Sequence, residues 1–504
     1  MLMPMESLKG GELIAQTFTP EDVPDERLFR RLQITGDAML RSMLGEGDER
    51  PEKERRAERR GASRLYANTR VDADRLCQRA QERTVESIKS LPRVLVAHDT
   101  VEFDLHGRHE PADAGPLRAN YARGYLVHHG VVVDPSNDAR IGILYMGAWT
   151  RPYPEGTRPA DKIRVRREWD NEDQKWSWGV EQAHTALKRH GFQGLVRHLA
   201  DHEGSSYASL AKAKHRKRDY VARTKIDRNI REGSGKLNDY LSKQPVVARW
   251  SATIEEDPNP AARGAMRRRR TVTLELRFAS VTLLPSNAYR GRLYRKGLSV
   301  SVVYVQEPDA PEGHDPVSWM LMGTAQVGSV QEAKEMALDY RDRWGVEDIN
   351  KVLKSGCHAE LTVVPDLASF RRLLAVAWPV SVHIPRWTYA ARVTPLEPAE
   401  PHVGEDVIEV MKLACRYHKL PLPRRPWTLK DVILRLAQMG GYEPRKDQPP
   451  GWKVIWRGWR VFNNFWDHLR FIQKLEVAAL RRGAPPPPGS GGVLPTEGEA
   501  ANAA

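Results

Sequence analysis

The chain has 504 residues, with 79 Lys and Arg against 65 Asp and Glu and a formal net charge of +14. That balance favours a polyanionic partner, DNA or RNA before a membrane, and the length leaves room for several domains and a sizeable core. Three cysteines, Cys77, Cys357 and Cys415, stand far apart without a CxxC pair, which argues against a zinc ribbon or a disulfide framework and fits a reducing, cytoplasmic compartment.

The N-terminal segment MLMPMESLKGGELIAQTF lacks an apolar run behind a basic start. No run anywhere approaches the ~18 to 20 apolar residues that span a bilayer. A soluble protein with no membrane partner is therefore expected. The first ninety residues read as helices, with a dense charged stretch, ERPEKERRAERRGASR, from Glu49 to Arg64. Such a run is either a solvated helix face or a DNA-contacting surface.

After Pro92 the texture becomes β-branched and alternating. RVLVAHDTVEFDL (93–105), GYLVHHGVVVD (124–134) and ARIGILYMGAW (139–149) read as three consecutive strands. A helix follows over Ser177 to Arg189, then a short strand in GFQGLVRHLADHE, a helix over Tyr207 to Lys214 and a strand in DYVARTKI (219–226). This order predicts a mixed α/β unit rather than a repeating βαβ barrel. From about Gly233 to Pro311 the pattern is β-rich again, with MRRRR at 266–270 inside it, and reads as an inserted antiparallel module closed by SWMLMGTA (318–325). Ser329 and Glu332 then have capping-box spacing, and one long helix is expected from there to Gly356. Beyond Pro385 the chain reads as helical, with Trp452, Trp456, Trp459 and Trp466 at helix-like spacings, and ends in a proline-rich tail expected to be disordered.

The chemistry concentrates in DYRDRWGVEDINKVLKSG, residues 339–356. At about 100° per residue, Tyr340, Arg343, Glu347, Lys351 and Lys354 fall within an arc of about 80°, and Val346, Ile349, Val352 and Leu353 collect opposite. Taken alone, the polar stripe reads as a solvated face with Arg343–Glu347 and Glu347–Lys351 ion pairs, together worth ~1 kcal/mol. Two upstream carboxylates change that weighting. Asp99 ends the apolar run VLVAHD and Asp201 ends LVRHLAD; singly, each could cap a turn. With the first and fourth strands adjacent, the two would meet at one sheet edge beneath the helix carrying Glu347. Three carboxylates so placed suit two hard divalent cations, Mg²⁺ or Mn²⁺, which can activate a water or a 3′-hydroxyl against a phosphodiester. His98 and His202 flank the two aspartates and read as supporting or surface groups rather than ligands.

Strand, Asp99, two further strands, helix, Asp201, β-rich insertion and Glu-bearing helix together resemble the RNase-H-like core of DDE transposases. More narrowly, Tyr340-x2-Arg343-x3-Glu347-x6-Lys354 is similar to the YREK signature of bacterial cut-and-paste transposases of the IS-four group, HDT (98–100) resembles the first Asp motif of that group, and DHEGSSY (201–207) the second. The resemblance implies an α/β, RNase-H-like mixed-sheet catalytic core (89–230 and 318–385) interrupted by a β-rich insertion (231–317). A helical DNA-recognition domain (1–88), a helical dimerisation domain (386–483) and the tail (484–504) complete the expected layout. It further implies two Mg²⁺ or Mn²⁺ ions held by Asp99, Asp201 and Glu347. The expected reactions are cleavage at transposon ends through a DNA hairpin and strand transfer into target DNA by a homodimer. Tyr340, Arg343, Lys351, Lys354, Arg223 and Lys225 would meet DNA phosphates, and Trp319 and Trp344 would flank a flipped base. Two other readings stay open: a nuclease or resolvase that uses the same site without strand transfer, and a non-catalytic DNA-binding inhibitor of a related transposase.

Overall fold

The computed structural model describes residues 10–42, 52–107, 110–118, 122–137, 139–151, 173–254, 270–287, 289, 291–312, 314–444 and 450–451, and scattered positions from 454 to 472; in 10–12, 40–42, 254 and 383–393 it describes only the backbone. The chain divides into two compact units, one covering Ser7–Val393 and the other Thr394–Ala504 together with Met1–Glu6. No helix among the described residues is long and apolar enough to cross a membrane.

The larger unit is a mixed α/β structure. Among the described residues the α-helices α1 (Gly10–Thr17), α2 (Glu26–Ser42), α3 (Glu52–Ala67) and α4 (Ala73–Ile88) come first. The charged stretch from Glu49 thus lies mostly on α3, where Arg55 and Arg59 both pair with Glu52. Among the described residues ten strands then form one sheet: β1 (Arg93–Asp104), β2 (Gly115–Pro116), β3 (Arg123–Asp134), β4 (Ala139–Trp149), β5 (Leu195–Ala200), β6 (Asp219–Thr224), β7 (Ala248–Ile254), β8 (Arg270–Leu283), β9 (Leu298–Gln306) and β10 (Ser318–Gly323). From β4 the order runs β3, β1, β5, β6, β10, β9, β8, β7. β4, β3 and β1 are antiparallel, β1, β5 and β6 are parallel, and β10 turns the sheet antiparallel again from β6 onward. The strands of the expected insertion are thus continuous with the core sheet. β10 is paired on both edges, Leu321 with Arg223 on one side and with Val303 on the other.

Two faces follow from strand alternation. The even-numbered positions of β1, β5, β6 and β10 face α5 (Gln174–Arg189), α6 (Tyr207–His215) and α7 (Leu237–Ser242), where Val94, Val96, Ala200, Tyr220, Ala222 and Met322 join two apolar clusters. The odd-numbered positions face α8 (Val330–Asp342), α9 (Gly345–Lys351) and α10 (Leu367–Val393). Arg197 and His198, polar for an interior strand, are resolved by this division. Arg197 meets Asp219 at 2.8 Å and also Asp339 of α8, whereas His198 hydrogen-bonds His98 on the other face.

The smaller unit contains the helices α11 (Glu400–Val403), α12 (Glu405–Tyr417) and α13 (Leu429–Met439), the last opened by a Thr428–Asp431 capping box. Trp459 is buried and Trp466 packs on Phe462, while Trp452, Trp456, most of MRRRR and the tail at 484–504 lie outside the described residues.

Candidate active site

Asp99 is not at a strand end, as the sequence suggests, because β1 continues to Asp104, register-paired with β3 throughout. What ends there is β5. Ala97 pairs with Leu199 in parallel register, so Asp99 stands level with Asp201, the first residue beyond Ala200. The same row continues to Arg223, which is paired with Leu321, and Trp319 lies two residues along β10 on the same face.

The helix above begins as expected. Ser329 Oγ accepts from Glu332 N–H at 3.2 Å and Glu332 Oε2 accepts from Ser329 N–H at 3.1 Å. It does not run unbroken to Gly356. After Asp342 the N–H groups of Arg343, Trp344, Val346 and Glu347 bond three residues back rather than four, which separates α8 from α9. Gly345 sits in this tight turn, and a Cβ there would collide with the Arg140 guanidinium packed against it. At the far end Cys357 N–H donates to Val352 C=O at 2.7 Å, closing a π turn over Val352–Gly356. The regular arc of about 80° expected for an unbroken helix is therefore redistributed. Tyr340 and Arg343 are buried at 2 % and 6 % exposure, Glu347 and Lys354 are half-buried, and Lys351 is exposed. The opposite face keeps its expected role, with Val346, Ile349, Val352 and Leu353 all fully buried.

Arg343 is the electrostatic centre. Its Nη2 lies 3.3 Å from Glu347 Oε1, and its charge also acts on Asp99 and Asp201. Burial pushes Arg343 down, but Tyr340, Asp99, Glu347 and Asp201 outweigh it and hold the guanidinium above its ordinary value. Burial, reinforced by the Asp201 charge, pushes Asp99 up to about 6 against the pull of Arg343, Thr100 N–H and Asn350. Asp201 goes the other way: burial raises it, yet His202, Arg343 and the Glu203 N–H together hold it below its ordinary value. Its Oδ1 accepts from Glu203 N–H at 2.9 Å, and His202 Nδ1 lies 3.3 Å from Oδ2. Glu203 is itself tied to Arg118 and Lys175.

The structure brings Asp99, Asp201, Glu347, Tyr340, Arg343, Arg223 and Trp319 to one face. Trp319 packs edge-on against Tyr340 at 6.1 Å, and Arg223, whose Nη2 donates to Ser318 C=O, acts electrostatically on Tyr340. Trp344 is half-buried and carries the Arg343 guanidinium at 5.5 Å from its ring. Three predicted residues stand apart. Lys351 is 3.8 Å from Asp348 instead of pairing with Glu347, Lys354 pairs with Glu360 at 3.0 Å, and Lys225 is exposed beyond β6.

Among the described residues no three His, Cys, Asp or Glu side chains are grouped closely enough to hold a metal as they lie here. The donor set nonetheless suits a hard cation: three carboxylates converge on one buried positive charge, which Arg343 supplies.

Sequence reasoning missed a histidine cluster. His98, His128, His129 and His198 are fully buried. On the face away from the carboxylates, His98 Nδ1 is 2.6 Å from Tyr145 Oη and its Nε2 is 2.8 Å from His198 Nδ1, and His128 Nδ1 is 2.9 Å from Thr100 Oγ1. Burial pushes His98 down to about 3 and His129 to about 4, so both are neutral near pH 7. The signal was present in HH at 128–129, where alternation sends one imidazole to each face. His129 reaches the carboxylate side, where its Nε2 is 2.7 Å from Asn350 Oδ1.

No protein-family model matches the chain.

Proposed function

We propose that the chain is a DNA transposase with an RNase-H-like core, in which Asp99, Asp201 and Glu347 hold Mg²⁺ or Mn²⁺ ions, two per site. The observation that carries this reading is the parallel register of β1 and β5, which sets Asp99 level with Asp201, together with Arg343 linking both to Glu347. The strand order β4, β3, β1, β5, β6, antiparallel and then parallel, supports the RNase-H-like part.

When bound, two such ions supply an activated water or 3′-hydroxyl and a stabilised leaving oxygen. The side chains prepare for this. Asp99 and Asp201 supply oxygen donors from the rigid sheet, and Glu347 supplies a third from a helix held by four buried apolar residues. Arg343 offsets part of the charge of the three carboxylates here, and its planar fork suits a phosphate once cations take over that task. Arg223, Tyr340, Lys225, Lys351 and Lys354 serve as phosphate contacts, and Trp319 and Trp344 offer indole faces to an extruded base. The DNA partners are terminal inverted repeats and a target duplex, and the C-terminal helices pair two copies into a homodimer in the bacterial cytoplasm.

The test uses the full chain, Mg²⁺ and DNA bearing the inverted repeats that flank its gene. The expected result is end cleavage through hairpins and joining of pre-cut ends to a target plasmid. Glu347→Ala should abolish cleavage while end binding stays nearly intact; cleavage retained by that variant overturns the site assignment. Cleavage without joining of pre-cut ends would assign a nuclease or resolvase instead, and end binding without cleavage by the unaltered chain a DNA-binding inhibitor.

A further inference from the structure

Asn350 stands on α9, three residues after Glu347, and spans two groups of the sheet. Its Nδ2 donates to Asp99 Oδ2 at 2.8 Å, and its Oδ1 accepts from His129 Nε2 at 2.7 Å. The orientation is dictated by chemistry. An ionised carboxylate only accepts, so the NH₂ end must face Asp99, and the remaining oxygen requires the proton of His129 on Nε2. Asp99 and His129 are directly paired across β1 and β3, and His129 is fully buried, so the anchor under Asn350 cannot swing. The second Asp99 oxygen, Oδ1, accepts from Thr100 N–H at 2.9 Å. Each carboxylate oxygen therefore spends one acceptor site on a fixed donor and keeps others for a cation.

We infer that Asn350 is a positioning residue: braced by His129, it fixes the rotation of the Asp99 carboxylate and ties the Glu347-bearing helix to β1, setting two of the three donors relative to each other. The inference rests on the proposed metal site. It differs from a purely structural pin, because a pin between α9 and the sheet would affect folding without affecting cation binding. Outer groups that orient ligating carboxylates typically change metal affinity by about 10- to 100-fold when removed.

The probe is Mn²⁺ alone, titrated calorimetrically into the full-length protein, with a thermal melt recorded for each variant. Asn350→Ala should weaken Mn²⁺ binding by about 10- to 100-fold. His129→Phe, which touches no donor, should weaken it comparably, whereas His129→Gln, whose amide N–H can still reach Asn350 Oδ1, should restore it. In the unaltered, ¹⁵N-histidine-labelled chain the His129 ring should show the Nε2–H tautomer without metal. Unchanged Mn²⁺ affinity in folded Asn350→Ala, with affinity lost in Asp99→Ala and Glu347→Ala, overturns the role of Asn350 alone. Nε2 found unprotonated does so as well. Should Asn350→Ala fail to fold, the His129 pair decides: equal affinities in His129→Phe and His129→Gln overturn the inference. If Asp99→Ala and Glu347→Ala bind Mn²⁺ as the unaltered chain does, the metal site itself falls, and this inference with it.

Discussion

Asp99 and Asp201 are neighbours because β1 and β5 run parallel, with Ala97 paired to Leu199 and each carboxylate two residues further on. One consequence is that the two do not titrate alike: burial and Asp201 push Asp99 up to about 6, while Asp201 is held below its ordinary value.

A raised carboxyl means that the folded chain binds the proton more tightly than the unfolded one. The stabilisation is fully present below the ordinary value of 3.8 and is lost as pH rises through about 6. At neutral pH the ionised Asp99 thus costs the metal-free fold free energy. At ~1.4 kcal/mol per pKa unit the cost is at most about 3 kcal/mol, and partial exposure makes it smaller. Asp99→Asn should accordingly raise the melting temperature in a chelator at pH 7 and leave it unchanged at pH 4. A variant equally stabilised at both values would show that ionisation of Asp99 is not the cause.

Arg343 supplies a positive charge that acts on all three carboxylates. Removing one member of a buried charge cluster leaves the others uncompensated, at a cost of about 3 kcal/mol. Arg343→Ala should therefore be strongly destabilised without divalent ions, and Mg²⁺ should restore more of its melting temperature than it adds to the unaltered chain. Arg343→Lys should be less destabilised. Melts with Mg²⁺ and with chelator check this, and no extra gain from Mg²⁺ in Arg343→Ala would count against a cation site there.

Much of this site was legible in the sequence, because strands and carboxylates announce themselves locally. VLVAHD and LVRHLAD gave the two strands and their aspartates, and the Ser329–Glu332 spacing gave the start of the helix. The break at Arg343–Trp344 was not legible, since it depends on Gly345 meeting Arg140 of β4, a contact between residues 205 positions apart. Periodicity assumes an unbroken helix and so overstated the regularity of the Tyr340 to Lys354 stripe. The roles of Asn350 and His129 were hidden for the same reason: each is unremarkable alone, and it takes the β1–β3 register to set His129 beside Asp99 and the packing of α9 to bring Asn350 to both. Arg197 looked misplaced in an interior strand because its partners, Asp219 and Asp339, come from two later elements.

Trp319 touches Tyr340 edge-on at 6.1 Å and is half-buried, so one part of the indole is packed while another remains accessible. Under the proposed function that accessible surface stacks on an extruded base, an interaction worth about 1 to 3 kcal/mol. Trp319→Ala should then slow hairpin formation by about 10- to 100-fold and the first nick by much less. Gel analysis of nicked and hairpin products over time separates the steps, and equal slowing of both would assign Trp319 to general packing.

Asp339 is the other anchor of the α8 helix. It is buried at 3 % exposure and meets Arg93 of β1 and Arg197 of β5, two strands on which the carboxylate pair depends. Burial pushes its carboxyl up and the two guanidinia offset this only in part. The pair itself therefore adds little, but deleting Asp339 leaves two cations facing a space from which their partner has gone. Arg197 retains Asp219 at 2.8 Å and Arg93 retains Glu335 at 3.0 Å, which moderates the loss. Asp339→Ala should lower the free energy of unfolding by about 2 kcal/mol, below the range for a fully uncompensated buried charge. Glu335→Ala, which removes a more exposed member of the same network, should cost under about 1 kcal/mol. Urea denaturation compares the two directly, and equal losses would mean that Asp339 is not what fastens α8, and with it Tyr340, to the sheet.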